Sequence, residues 1–350
     1  MNPRDHGGDW AGYQARYHKE PLDFSANVSP IGPPAGVREA ICRAAGETAR
    51  YPDPHCRQLR QSLSEYHGVD PSWLLCGNGA SDLLDRLALA LGPKRGLVTA
   101  PAFSEYAQVL RRVGCQVEEF PLNREQDFSV TADLLKTITP DLDVLFLCEP
   151  SNPAGRCTEK NLLLSIASKC DACGVLLVVD ECFEDFLTDR THSLISALSD
   201  HRLLILRAFT KFYGLAGVRL GYCISRETGL LAAMAAAGQP WPVSNLAQAA
   251  GIAALKERAY GETLRALITT QRQFLFQGLT ELGCRVVPGE ANYLLFRAPN
   301  QDLGQRLACR GILLRSCANY TGLDAYWFRT AVRGPEENVL LLEAIKEALP

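Results

Sequence analysis

Short runs of mostly apolar residues recur through the first two thirds of the chain. Five of them span residues 73–76, 96–99, 144–147, 175–179 and 203–206. Because these runs are apolar at successive rather than alternate positions, they predict strands that are covered on both faces. Amphipathic segments such as residues 81–91 and 159–173 lie between them. This alternation predicts βαβ units with right-handed crossovers, and therefore an α/β fold with a largely parallel sheet.

The last third of the chain has a different pattern. After Pro240-Trp-Pro242, a helical periodicity extends over residues 245–282. Strand patterns follow at residues 292–296, 311–314 and 327–332. The sequence Gly-Pro-Glu-Glu at residues 334–337 predicts the start of a final helix, because proline suits the first turn and carboxylates stabilise the positive end of the helix dipole. These elements predict a second, smaller α+β domain.

Composition and charge narrow the classes of function. The chain has 350 residues, of which 47% are hydrophobic and 21% charged, and this is typical of a folded α/β protein with room for two domains. The formal net charge of -3 and the lack of a long basic run argue against a nucleic-acid partner. The N-terminus has no apolar signal region and no stretch is long enough to span a membrane, so we expect a cytoplasmic protein.

Cysteine usage agrees with that location. Thirteen cysteines in a chain without a signal peptide predict reduced thiols rather than a disulfide framework. Cys170 and Cys173 form a C-x-x-C motif, but no second pair and no nearby histidine completes a metal site. We therefore expect these two thiols to pack in a helix and predict no metal.

Polar residues that directly follow the apolar runs are the candidate site residues, because ligands bind beyond the carboxyl ends of parallel strands. Residues 77–82, with the sequence GNGASD, follow the first run and open a helix whose free N–H groups suit a phosphate. On its own, such a motif more often forms an ordinary glycine turn. Asn152 follows a second run, where it can donate a hydrogen bond to a ligand or simply form an Asn-Pro turn.

Two further runs end in ionisable residues. Asp180 follows a strand predicted to be buried on both faces, where an anion needs a cation or several donors, and a protonated ring nitrogen would serve. Lys211 follows the next run, with Arg219 eight residues later. A surface lysine is the simple alternative for Lys211.

The order of these features along the chain resembles that of the pyridoxal-5′-phosphate (PLP)-dependent aminotransferase fold family (fold type I). The resemblance covers essentially the whole chain. It implies that Lys211 binds PLP covalently, that Asp180 pairs with its ring nitrogen, and that Phe103 stacks on its ring. Further cofactor contacts implied by the family are Gly79, Ala80, Ser81, Asn152, Thr210, Arg219 and, from a neighbouring subunit, Tyr51.

Within this family the sequence is most similar to the histidinol-phosphate aminotransferase group. Several segments nevertheless resemble the decarboxylases of that group, namely residues 6–8, 22–27, 29–32, 180–186 and 315–322. The resemblance implies decarboxylation of L-threonine O-3-phosphate to an aminopropanol phosphate used in cobalamin synthesis. Phe183 stands where the aminotransferases usually carry tyrosine, which favours this interpretation. The substrate residues implied by the resemblance are His6, Gly7, Asn27, Asn152, Arg315 and Arg329.

Alternatives remain open at this level. Histidinol-phosphate transamination would use the same cofactor residues, and L-serine O-phosphate differs from the threonine ester by one methyl group. For His6, a disordered N-terminal histidine is an equally simple interpretation, and no role is assigned to Arg333. An ATPase is disfavoured, because the acidic strand end at 180–181 has no P-loop to accompany it.

The resemblance also implies a domain division and a partner. We expect residues 1–35 to form an N-terminal segment that contributes to the active site and the small domain, 36–255 the large PLP-binding domain, and 256–350 the small C-terminal domain. A homodimer with shared active sites is implied by the role of Tyr51.

Overall fold

The computed structural model describes residues 6–189 and 191–349. The strands are β1 (Leu22–Asp23), β2 (Leu74–Gly77), β3 (Arg95–Ala100), β4 (Gln116–Pro121), β5 (Val144–Cys148), β6 (Leu176–Asp180), β7 (Leu203–Ala208), β8 (Gly221–Ile224), β9 (Arg285–Val286), β10 (Tyr293–Arg297), β11 (Ile312–Leu313), β12 (Arg315–Ser316) and β13 (Trp327–Ala331). The helices are α1 (Trp10–Tyr17), α2 (Ala35–Ala45), α3 (Arg57–His67), α4 (Ala80–Leu91), α5 (Ser104–Arg112), α6 (Lys160–Cys173), α7 (Phe209–Phe212), α8 (Thr228–Ala237), α9 (Asn245–Ala254), α10 (Arg258–Glu281), α11 (Leu303–Cys309) and α12 (Pro335–Ala348).

A seven-stranded sheet forms the centre of the large domain. Its strand order is β2-β8-β7-β6-β5-β3-β4. The contacts within the block β7-β6-β5-β3-β4 are parallel, whereas β8 is antiparallel to both of its neighbours. Every residue of β5, β6 and β7 is buried, because helices cover both faces of the sheet. The predicted α/β fold with a mostly parallel sheet is confirmed.

The smaller sheet lies in the last part of the chain. Four antiparallel strands pair in the order β12-β13-β10-β9. Separately, β1 from the N-terminal segment pairs in parallel with β11, so that residues 22–23 lie against residues 312–313. The N-terminal segment is thereby held to the small domain, although the exact domain boundaries that we expect from the sequence remain predictions.

The differences between predicted and observed elements have physical causes. The helical region at 245–282 is two helices, because the chain turns between Ala254 and Arg258. The edge strand β4 was not predicted, since its sequence QVEEFP mixes polar and apolar residues and leaves it partly exposed. The final helix begins at Pro335, with Glu337 Oε2 accepting a hydrogen bond from the Gly334 amide (3.0 Å), as the sequence predicts.

The structure also bears on the state of the cysteines, on metal binding and on membrane spans. All thirteen cysteines are free thiols; Cys170 is buried in the core and Cys173 packs against it. In the described part of the chain, no group of three or more metal-ligating side chains is placed to hold a metal ion. Among residues 6–189 and 191–349, no helix combines the length and apolar character needed to cross a membrane.

Candidate active site

A cavity of about 530 Å³ opens at the carboxyl ends of the parallel strands. It gathers residues from the large domain, the small domain and the N-terminal segment. Thirteen of the sequence-predicted residues line it: His6, Gly7, Asn27, Ala80, Ser81, Phe103, Asn152, Asp180, Thr210, Lys211, Arg219, Arg315 and Arg329. Gly79 supports its wall, and Tyr51 lies outside it.

One wall of the cavity is the N-terminus of α4. Its N-cap is Gly79, which offers no side chain to the amides of the first helical turn. Gly79 has φ +83°, a conformation that favours glycine, and a Cβ at this position would lie 2.7 Å from Arg219 Nη2 and so displace the guanidinium. Free amides, the positive end of the helix dipole and a guanidinium therefore meet at one point, which suits a phosphate.

Lys211 lies on the short helix α7 and points into the cavity. Burial, followed by the positive charge of Arg329, lowers the pKa of Lys211 from 10.5 to about 8, and Arg219 acts in the same direction. The opposing attraction of Cys182 and Asp180 is smaller than the effect of burial. A lysine held in this way has an appreciable neutral, nucleophilic fraction near neutral pH.

Asp180 is the last residue of β6 and is buried. Its Oδ2 accepts a hydrogen bond from Tyr106 Oη at 2.6 Å, and its Oδ1 accepts one from the Cys182 amide at 3.0 Å. The strand end thus presents a carboxylate to the cavity in a defined orientation.

Arg329 on β13 crosses the cavity from the small domain. Its Nη1 donates to Asn152 Oδ1 at 2.6 Å, and its Nη2 donates to the Ser25 carbonyl at 3.1 Å. Its Nε is buried and has no hydrogen-bond partner among the described residues, and Arg329 is 6% exposed. Because the amide oxygen of Asn152 is occupied by Arg329, the amide NH₂ of Asn152 remains available to donate to a ligand.

Arg315 on β12 supplies a second buried guanidinium. Its Nη2 donates to Asn319 Oδ1 at 2.9 Å, and its guanidinium lies 5.6 Å from the Tyr320 ring. Asn27 lines the same cavity, and its buried Oδ1 has no hydrogen-bond partner in the part of the chain that the structure describes. Arg315 therefore has neutral partners and retains capacity to bind an anion.

The N-terminal segment borders the cavity entrance. His6 Nε2 lies 3.0 Å from Glu105 Oε1, and its ring centroid lies 5.5 Å from that of Phe103. A Cβ on Gly7 would lie 2.0 Å from the Ser25 carbonyl oxygen, so only glycine permits this close approach. The Gly8 amide donates to Ser25 Oγ at 2.7 Å.

Two residues considered in the sequence lie elsewhere. Tyr51 is 79% exposed and stacks on Trp241, with 4.5 Å between ring centroids. Arg333, which the sequence left unassigned, forms an ion pair with Glu337 at 2.6 Å and donates to the Asp23 carbonyl at 3.1 Å. Arg333 therefore ties the N-terminal segment to α12.

Sequence reasoning missed Tyr106, Tyr320 and Ser25, all of which line the cavity. Tyr106 had one available signal, because it lies three residues after Phe103, and this spacing places both side chains on one face if a helix begins there, as α5 does. Tyr320 and Ser25 act through a ring contact and a backbone carbonyl, for which the sequence offers no comparable pattern.

A parallel sheet that brings a buried lysine and an aspartate to the same cavity, next to a helix N-terminus, defines an α/β enzyme with the aminotransferase fold. The chain belongs to the aminotransferase class I and II family, whose model matches residues 19–345.

Individual relatives show how close the similarity is. Threonine-phosphate decarboxylase from Salmonella typhimurium is 39% identical over 332 residues, covering 94% of this chain and 91% of the relative. Histidinol-phosphate aminotransferase 2 from Ralstonia nicotianae is 33% identical over 338 residues, covering 94% and 88%. The structure of histidinol-phosphate aminotransferase from Clostridium acetobutylicum superposes with a TM-score of 0.87 at 27% identity, covering 93% of this chain and 98% of that one.

The fold is shared more widely. Histidinol-phosphate aminotransferase from Sinorhizobium meliloti, solved in complex with pyridoxal-5′-phosphate, superposes with a TM-score of 0.88 at 24% identity, covering 97% of this chain and 94% of that one.

Proposed function

We propose that this chain is a PLP-dependent carboxy-lyase that converts L-threonine O-3-phosphate into CO₂ and (R)-1-aminopropan-2-ol O-2-phosphate, for assembly of the cobalamin nucleotide loop. The observation that carries the proposal is the pair of buried guanidinium groups, Arg315 and Arg329, in the cavity that contains Lys211. The 39% identity to the Salmonella decarboxylase supports the same reaction.

The residues of the cavity fit PLP. The uncapped N-terminus of α4, with Gly79, Ala80, Ser81 and Arg219, would hold the phosphate. Lys211, whose pKa of about 8 leaves a reactive fraction of neutral amine, would form the covalent link. The remaining cofactor contacts would be Phe103, Asn152, Asp180, Thr210 and, from a partner subunit, Tyr51. When bound, PLP supplies an electron sink for the pair released as a bond to the substrate α-carbon breaks.

The chain's own residues would then determine which bond to the substrate α-carbon breaks. Asp180 would keep the ring nitrogen protonated, and Lys211 would move protons once it is released from the cofactor. Arg329 would bind the substrate carboxylate, since its fork of donors matches two oxygens. Arg315 would bind the phosphate at the other end of the substrate.

The entrance residues complete the phosphate end of the substrate site. His6, Gly7 and Asn27 line the same cavity as Arg315 and would meet the substrate phosphate together with it, and Asn27 Oδ1 has no partner among the described residues. Two fixed anions leave the substrate one orientation, and this orientation determines whether the carboxylate or the α-hydrogen is lost.

Histidinol-phosphate transamination is the second candidate, supported by relatives such as the Ralstonia enzyme at 33% identity. Phe183 argues against it. Its ring packs edge-on against Tyr293 with 4.9 Å between centroids, and it brings no hydroxyl to the cavity. L-Serine O-phosphate is a closer rival to the threonine ester, because one methyl group changes binding by ~1–3 kcal/mol.

Assembly and location belong to the same proposal. An exposed Tyr51 stacked on Trp241 supports a homodimer in which this tyrosine reaches the partner's cofactor phosphate. Thirteen free thiols support a reducing compartment, the cytoplasm.

The experiment is to incubate the PLP-loaded protein separately with L-threonine O-phosphate, L-serine O-phosphate, and histidinol phosphate plus 2-oxoglutarate, and to identify the products. We expect CO₂ and aminopropanol phosphate from the threonine ester without any keto-acid acceptor. Conversion of histidinol phosphate, with no CO₂ from the threonine ester, would instead establish the aminotransferase.

Borohydride reduction of the loaded protein tests the cofactor link independently. The visible absorption band should disappear, and the pyridoxyl group should be found on the peptide that contains Lys211. An adduct on any other lysine would contradict the proposed site.

A further inference from the structure

The main chain of Asp180 is fixed on both sides by the sheet. It pairs with Cys148 of β5 and with Leu206 of β7, and its carbonyl accepts a hydrogen bond from the Glu149 amide at 2.9 Å. The position of its carboxylate therefore depends on the side-chain torsions alone. The Cys182 amide holds Oδ1 and the Tyr106 hydroxyl holds Oδ2.

Tyr106 is itself held firmly. It is 1% exposed, and its ring stacks on Phe146 with 5.4 Å between centroids and 15° between planes. Its ring also meets Phe103 edge-on, at 5.5 Å and 81°. Burial, followed by the negative charge of Asp180, raises the pKa of Tyr106 well above its ordinary value, so the hydroxyl keeps its proton and donates.

We propose that Tyr106 is a positioning residue for the reaction, whose hydroxyl holds the Asp180 carboxylate in place while its ring supports Phe103. This inference rests on the proposed function, in which Asp180 pairs with the PLP ring nitrogen. Each carboxylate oxygen has about two acceptor positions, so the bonds from the Tyr106 hydroxyl and from the amide and thiol of Cys182 leave capacity for a group in the cavity. A carboxylate oxygen held in a fixed direction can accept a hydrogen bond from the ring nitrogen, and that bond favours the protonated form of the nitrogen.

Tyr106→Phe isolates this role, because it removes the hydroxyl and keeps the packed ring. The direct measurement is the ¹⁵N chemical shift of PLP labelled at the ring nitrogen and bound to wild type and variant. We expect a protonated nitrogen in wild type and a resonance moved toward the unprotonated position in the variant. PLP should still bind, because its phosphate site at α4 is unchanged.

Turnover gives a second measurement. A hydrogen bond to a charged group corresponds to roughly a ten- to hundredfold effect, so kcat should fall by about that factor. KM should change little, since Tyr106 lies behind Asp180 and the proposed substrate contacts, Arg315 and Arg329, are untouched.

Tyr222→Phe is the matched control. Tyr222 is also buried, its hydroxyl lies 2.8 Å from His67 Nε2, and it does not line the cavity. It should lower the thermal midpoint about as much as Tyr106→Phe does, but should leave the ¹⁵N shift and kcat at wild-type values. A kcat loss of equal size in this control would reduce Tyr106 to a general packing role and overturn the inference.

A double-mutant cycle with Asp180→Asn shows whether Tyr106 acts through Asp180. It also keeps the inference testable if an unpaired carboxylate destabilises the single variant, because asparagine carries no charge. In the Asp180→Asn background, adding Tyr106→Phe should leave kcat nearly unchanged, and multiplicative losses would overturn the inference. An unprotonated nitrogen in wild type, or no bound PLP, would overturn the proposed function itself. A protonated nitrogen in both wild type and Tyr106→Phe would overturn the Tyr106 inference alone.

Discussion

Lys211 should make the PLP-free protein less stable, and Lys211→Met should remove that cost. The amine loses hydration on folding and lies near the positive charges of Arg329 and Arg219, which together lower its pKa to about 8. In the unfolded chain the pKa of the amine returns to its ordinary value of 10.5. Methionine keeps a similar flexible apolar stem without the charge, so the substitution tests the electrostatic cost of the lysine.

The magnitude follows from the two pKa values. One pKa unit corresponds to ~1.4 kcal/mol, so below pH 8 the buried charge costs the folded state about 3 kcal/mol. Between pH 8 and 10.5 the folded protein has released the proton while the unfolded chain still binds it, and wild-type stability therefore rises with pH relative to the variant. Above pH 10.5 both states are neutral and this cost is absent.

Urea unfolding of both PLP-free proteins at pH 7 and pH 10 measures the effect. At pH 7 the free energy of unfolding of Lys211→Met, relative to wild type, should be about 3 kcal/mol higher than it is above pH 10.5. Most of this difference should be lost by pH 10. The control is Lys169→Met, at an exposed position on α6, where the amine keeps its hydration on folding. If the Lys211→Met difference is constant from pH 7 to 10, Lys211 is not a desolvated amine and its proposed reactivity loses its physical basis.

Three further predictions address other residues. Asp180→Asn should retain much of its bound PLP through the phosphate site while kcat collapses, and comparable kcat values in variant and wild type would refute its role. Mixing Tyr51→Phe subunits with Lys211→Ala subunits should recover activity, because one site of each heterodimer is intact; no recovery after verified subunit exchange argues against shared sites. Burial raises the pKa of Glu149 from 4.5 to about 8, against two hydrogen bonds from Thr158. Between these two pH values the folded state therefore holds a proton that the unfolded state has released. As the pH rises from 4.5 to 8, the free energy of unfolding of Glu149→Gln, measured with urea, should increase by on the order of 4 kcal/mol relative to wild type. An unchanged difference would contradict this.

The central strands could be predicted from sequence because they are buried on both faces. β5, β6 and β7 are apolar at nearly every position and were placed within two residues of their observed ends. β8 was not predicted, although its four residues are all buried, because it is short and follows directly on the loop after Lys211. Its antiparallel direction depends on pairing with β2 and β7, which a local pattern does not encode.

Some residues of the cavity could likewise be found from a local pattern, whereas others depend on tertiary packing. Asp180 and Lys211 could be found as polar residues following apolar strands, and the resemblance to the family gave them roles. The hydrogen bond from Tyr106 to Asp180 joins residues 74 positions apart, and that from Arg329 to Asn152 joins residues 177 apart. Such contacts depend on how helix, sheet and small domain pack together. A role for Tyr51 depends on a second subunit as well.

The charges of the cavity bear on the choice of substrate. Arg219, Arg315 and Arg329 line it, and none of them forms an ion pair with a carboxylate in the described part of the chain. The phosphate of PLP would satisfy Arg219, which leaves two buried guanidinium groups with neutral partners. A buried charge without a counter-ion is costly, so a ligand that brings two anions gains more than a ligand that brings one. L-Threonine O-phosphate offers a carboxylate and a phosphate, whereas histidinol phosphate has no carboxylate for Arg329. The cavity should therefore discriminate between them through Arg329, whose Nε is buried and has no hydrogen-bond partner among the described residues.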